Sequence, residues 1–138
     1  MTNRRVLTGR VVLAFGIFAG FVSVWFTLAF TWNPDFAAVH LDDGPTHSNY
    51  HTFRGALLAF SVNLLLIWVG IKGASVRYET WGIATFMAVF YYLGWWIAWP
   101  IWGYHAPSIG AEMNHLLGTV GGLGALYFLR PKRKIPAI

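Results

Sequence analysis

Read for hydrophobic and polar positions, the chain divides into four apolar runs separated by polar stretches. They cover about Val11 to Trp32, Gly55 to Ile71, Trp81 to Trp102 and Leu116 to Leu129. Each is near the ~20 residues a helix needs to cross ~30 Å of hydrocarbon. The second and fourth are short, so the polar residues at their N-terminal ends should lie close to the interface. The first is too long and too aromatic for a signal-peptide core, and no small-residue cleavage site follows it, so it reads as a retained span. The predicted fold is all-α: a four-transmembrane-helix bundle forming a single membrane domain over residues 1–138.

The polar stretches refine this picture. The loop WNPDFAAVHLDDGPTHSNYH opens with Asn33 as an N-cap and Pro34 at the first helical position. Phe36 and Val39 then recur at helical spacing, which predicts a short helix lying in the interface plane. Asp43-Gly44-Pro45 reads as the turn that ends it. The link KGASVRYET is short, so the second and third spans should be antiparallel neighbours.

Composition agrees with a lipid environment. Hydrophobic residues make up 57% of the chain and charged residues 11%, far below the roughly one-quarter charged fraction of soluble domains. The absence of cysteine removes disulfides and thiolate chemistry. The net charge of +5 does not point to nucleic acid, because its distribution follows the spans. Arg4, Arg5 and Arg10 precede the first, Lys72 and Arg77 separate the second and third, and Arg130, Lys132, Arg133 and Lys134 follow the fourth. The positive-inside rule therefore puts both termini in the cytoplasm. Arg54 is the basic residue left on the other side.

Small residues mark helix contacts. Gly16 and Gly20 form one row, and Gly118, Gly121, Gly122 and Ala125 another; such rows let backbones approach closely in lipid, with the partner in this chain or another. Asn63, mid-span, marks a contact face and should hydrogen-bond a neighbouring helix. Tryptophans crowd the third span. They suit an interfacial belt, or, with Trp95, Trp99 and Trp102, a π-rich wall for a quinone, pigment or sterol.

All five histidines fall on the predicted outer side. If the second span extends back to Thr46, His47 and His51 are one turn apart on one face, with Arg54 on the same stripe; Glu112 and His115 are likewise one turn apart at the start of the fourth span. Imidazole and carboxylate together suit copper, zinc or iron, which makes His47, His51, Glu112 and His115 a candidate metal set. A haem between His51 and His115 is a further arrangement. The competing reading is structural: an ion pair between Arg54 and Glu112 ties the second span to the fourth and leaves the histidines in water.

The arginine before the first glycine-bearing span (GRVVLAFGIFAG), the arginine-glycine pair of HTFRGALLAF and the glutamate of AEMNHLLG resemble the DoxX-like group of small bacterial four-helix membrane proteins. That resemblance implies a bacterial inner-membrane protein, with Arg54 and Glu112 as the shared polar pair and an association with quinone-linked oxidoreductases. No catalytic triad, phosphate loop or chain of intramembrane carboxylates is present in the sequence. The leading expectation is a non-catalytic accessory subunit packed among other membrane protein subunits and lipids. A metal-dependent redox component and a lipid, quinone or pigment binder are the alternatives.

Overall fold

The computed structural model describes residues 2–32 and 47–132, with side chains over 2–30 and 49–132. Among the described residues, five α-helices follow one another: α1 (Asn3–Trp32), α2 (His47–Lys72), α3 (Tyr78–Trp96), α4 (Ala98–Trp102) and α5 (Ile109–Phe128). A 3-10 turn at Gly73–Ser75 joins α2 to α3. The interfacial helix expected after Asn33 lies outside the described residues.

Among the described residues, three helical segments are long and apolar enough to cross a membrane: Asn3–Phe30, Asn49–Ser75 and Tyr78–Trp102, of 28, 27 and 25 residues. The chain is an integral membrane protein of helical type. The helix α5 is long, with 20 residues, but Glu112, Asn114 and His115 in its first turns dilute its apolar character.

The four long helices run alternately up and down, and their register follows from close approaches. Gly9 packs against Leu129, Gly16 against the backbone of Gly121 and Gly122, and Ala19 near Gly118, so α1 and α5 are antiparallel. Gly20 faces Asn63 and Leu13 faces Gly70, so α2 is antiparallel to α1 as well. Trp95 against Gly118 and Tyr92 against Gly122 set α3 against α5. The helix α2 packs mainly on α1 and α3, as α5 also does, so these two are not each other's principal neighbours. Both small-residue rows are thus used inside the chain, and at Gly16 a Cβ would stand only 2.6 Å from the backbone nitrogen of Gly122.

Where α3 stops has a covalent cause. Pro100 has no N–H to offer the carbonyl of Trp96, and its ring would collide with that carbonyl in a continuous helix. The chain turns at Ile97, makes the short α4, and ends it on Gly103 in the left-handed region at φ 71°.

At one end of the bundle, arginines of α1 finish the neighbouring helices. Arg10 donates from Nε to Gly70 O at 2.9 Å and from Nη2 to Ile71 O at 3.0 Å. Arg5 donates from Nε to Phe128 O at 3.0 Å and from Nη2 to Tyr127 O at 2.8 Å. The final carbonyls of a helix have no partner within it and carry the negative end of its dipole, so a guanidinium satisfies both needs. Trp81 adds an indole donor to Leu126 O at 2.8 Å. We call this the basic end.

Candidate functional site

The opposite end, which carries the histidines, is built differently. Ser108 caps α5, its hydroxyl accepting from the Ala111 N–H at 3.2 Å. Glu112, in the first turn, points back to the preceding loop. Its Oε2 accepts from the Ala106 N–H at 3.1 Å and its Oε1 lies 3.6 Å from His105 Nδ1. A carboxylate is favoured near a helix N-terminus, so Glu112 stabilises both the helix and the loop that feeds it.

One turn later, His115 is held by rings. It stacks on Trp95 with centroids 4.6 Å apart and 23° between planes, and meets the edge of Trp96 at 6.4 Å. Trp96 donates from its indole to Thr119 Oγ1 at 2.9 Å, and Thr119 in turn donates to the His115 carbonyl at 2.8 Å. The imidazole is therefore fixed by stacking, and its ring nitrogens make no hydrogen bond among the described residues. Asn114 donates from Nδ2 to Ala19 O at 3.0 Å, bridging α5 to α1 and leaving its Oδ1 available.

Beside these groups the helices part. A cavity of about 640 Å³ lies between the second half of α1 and the start of α5, walled by Val22, Phe26, Phe30 and Pro107, with Ser23, Thr27, Ser108, Asn114 and His115 as its polar lining residues. Small-molecule sites commonly have ~300–1,000 Å³, mostly apolar walls and a few convergent polar groups.

Beneath Ser23 the interior remains polar. Asn63 is fully buried against Gly20. Its Nδ2 donates to Ala59 O of its own helix at 2.8 Å, so the expected bond to another helix does not form, although the residue does mark a contact face. Its Oδ1 has no partner among the described residues. The Tyr91 hydroxyl lies beside the side chains of Asn63 and Ser23 without reaching hydrogen-bond geometry with either. The Tyr92 hydroxyl, lodged against Gly122, is also unpartnered. Of these groups, Tyr91 and Tyr92 were not legible as polar-site residues, because tyrosines in an aromatic-rich span read as part of its apolar face.

The sites expected from sequence fare unequally. The Arg54–Glu112 ion pair does not form: Glu112 is taken by Ala106 and His105, and the Arg54 guanidinium lies over its own helix's Tyr50 ring at 5.6 Å. The reason is the packing order, since α1 and α3 are the main neighbours of both helices. The metal set is not assembled among the described residues, where no group of three or more histidine or acidic side chains converges. His115 turns inward between indoles, Glu112 turns toward the loop, and His51 is exposed on α2. The side chain of His47 lies outside the described residues. A haem shared by His51 and His115 meets the same obstacle.

The tryptophan wall is split by the break at Ile97. Trp95 packs against α5, whereas Trp99 and Trp102 stand on α4 at 58% and 67% exposure, with Trp99 beside His105 at 4.9 Å. The three rings do not share a surface. Compared with known proteins, the chain matches no protein-family model, no curated protein and no solved structure.

Proposed function

We propose that the chain crosses the bilayer four times, with both termini cytoplasmic, and binds a lipid-soluble small molecule in the cavity between α1 and α5. The cavity itself carries this reading: apolar walls, open space, and an imidazole held in place beside it without a hydrogen-bond partner. A quinone, a pigment or another lipid satisfies such a lining, and the contact is made by His115 and Asn114 rather than by a wall of Trp95, Trp99 and Trp102. The position of arginines at the basic end supports the orientation, by the charge bias of cytoplasmic loops. The DoxX-like resemblance is compatible with this placement.

The test uses native mass spectrometry of the protein released from lipid nanodiscs. Wild type is expected to retain a small lipid-soluble molecule, and Gly110→Phe to lose it. Gly110 lines the cavity, and a Cβ there would meet only Ser108 Oγ at 3.8 Å, so the new ring can enter the space without disturbing the helix. Equal retention by both proteins, or none by either, overturns the reading.

One observation favours the accessory-subunit function as a second reading. The span containing α3 is 17% buried, against 28% and 33% for the other two. Its outer surface carries Gly82 and Gly94 facing open space, with Phe86 and Phe90 4.8 Å apart between them. A helix of another membrane protein fits there. Purification in mild detergent is expected to bring down a stoichiometric partner; a stable lone monomer counts against it.

A further inference from the structure

The polar groups below the cavity specify the kind of molecule that enters it. Asn63 Nδ2 is committed to Ala59, so the side chain offers the bundle interior only its carbonyl oxygen, which is buried and unpartnered. Tyr91 brings one hydroxyl proton and Ser23 another. Set against these are the lone pairs of Asn63 Oδ1, Tyr91 Oη and Ser23 Oγ, so acceptor capacity exceeds the available protons. An unfilled buried acceptor is costly, and a group that brings its own proton relieves the cost. Ser23 belongs both to the cavity lining and to the surroundings of the Tyr91 hydroxyl, so the two regions adjoin.

We infer that the cavity and this polar well form one site for a hydroxyl-bearing lipid, an alcohol or phenol on an apolar body. Its O–H points down toward Ser23, Tyr91 and Asn63, and its body lies along Val22, Phe26 and Phe30. The inference rests on the ligand-binding reading of the cavity and adds to it the polarity of the head group. A head that can only accept, such as an ether, can take a proton from Tyr91 or Ser23 but leaves the Asn63 oxygen unfilled, so it makes one hydrogen bond fewer than an alcohol or phenol.

Two probes of matched size separate these cases: 4-nonylphenol, which donates, and 4-nonylanisole, its methyl ether. Binding of each, in tritiated form, is measured to the full chain in nanodiscs, with protein-free nanodiscs subtracted. The phenol is expected to bind about three- to tenfold more tightly, the range one net hydrogen bond supplies. Asn63→Leu and Tyr91→Phe should each shrink that preference while ether binding persists; Tyr91→Phe keeps the ring and so serves if the asparagine variant does not fold. Gly110→Phe should abolish binding of both. Equal affinity for the two probes in wild type overturns the hydroxyl inference and leaves the cavity reading standing, as when the well holds only water. A preference that survives both substitutions also overturns it. Binding of neither probe removes the inference together with the reading beneath it.

Discussion

The two ends of the bundle solve the same problem, how to finish helices at the edge of lipid, in opposite ways. At the basic end, Arg5 and Arg10 reach from α1 to the last carbonyls of α5 and α2, with four hydrogen bonds that each cross between helices. Glycines there admit neighbouring side chains closely, Gly9 meeting Leu129 and Gly73 meeting Val6 and Arg10. At the histidine end, the caps are local: Ser108 holds its own helix and Glu112 holds the loop six residues before it. Among the described residues, nothing comparable draws α1 toward α5 beyond the Asn114–Ala19 bond, and the helices separate around a cavity. Among the described residues, one end is held by bonds between helices and the other surrounds a cavity. The cross-helix bonds are expected to carry more of the stability, and ligand binding is proposed for the second region.

Substitutions can break or sharpen this contrast. The largest effect is expected midway, where the hold between helices depends on backbone contact: Gly16→Ala puts a Cβ 2.6 Å from Gly122 N and 2.7 Å from Gly121 C. Those are main-chain atoms that cannot rotate away, so a loss of roughly 3 kcal/mol is expected, read as a fall in the unfolding midpoint in detergent. Should Gly16→Ala unfold like wild type, the α1–α5 register described above is wrong.

Arg10→Ala comes next. It removes two charged donors from the end of α2, and about 1–2 kcal/mol of stability should go with them. The same measurement on Arg5→Ala should show a similar loss at the end of α5, because the two arginines do the same job for different helices. If either matches wild type, that arginine serves topology alone.

Ser108→Ala probes the open end. Loss of an N-cap costs about 1 kcal/mol, and here the change should stay local, appearing as faster amide exchange over Ile109 to Glu112 with little change at the basic end. Global destabilisation as large as that of Arg10→Ala would mean the two ends are not mechanically distinct. The smallest effect belongs to Gly94→Ala, where a Cβ meets nothing within 4 Å. Helix propensity alone then applies, and the variant should be neutral or slightly more stable, by up to ~1 kcal/mol. A clear loss of stability or of a partner at this position would show that something packs there, which sharpens the accessory-subunit reading.

Several elements were readable from residue order because their causes are local. Apolar length marks the long helices and the glycine rows announce backbone contact, whereas the third span, expected as one run from Trp81 to Trp102, is broken after Trp96 by Pro100. Arg5 and Arg10 were legible as topological charges but not as caps. That role depends on which helix ends come to lie beside α1, and spacing within one helix carries no such information.

The histidine end was the least legible. Helical spacing placed His51 with Arg54, and Glu112 with His115, but the assignments failed at the step between helices. Glu112 found a backbone N–H six residues away before it could find Arg54 across the bundle. His115 rotated into a cleft between two indoles that follow one another in sequence. Asn63 was visible as a contact residue, while the hydroxyls of Tyr91 and Tyr92 were not, since only packing reveals which tyrosines bury their oxygen.

Sequence alone determined that this chain belongs in lipid, roughly where its long helices lie and which glycine rows bring backbones together, because hydropathy and backbone sterics act over a few residues. Tertiary structure alone decided which polar group answers which, where the helices part, and that among the described residues the buried oxygens of Asn63, Tyr91 and Tyr92 are left without partners. Those outcomes depend on the order in which helices pack, and many such orders share the same pattern of apolar and polar residues.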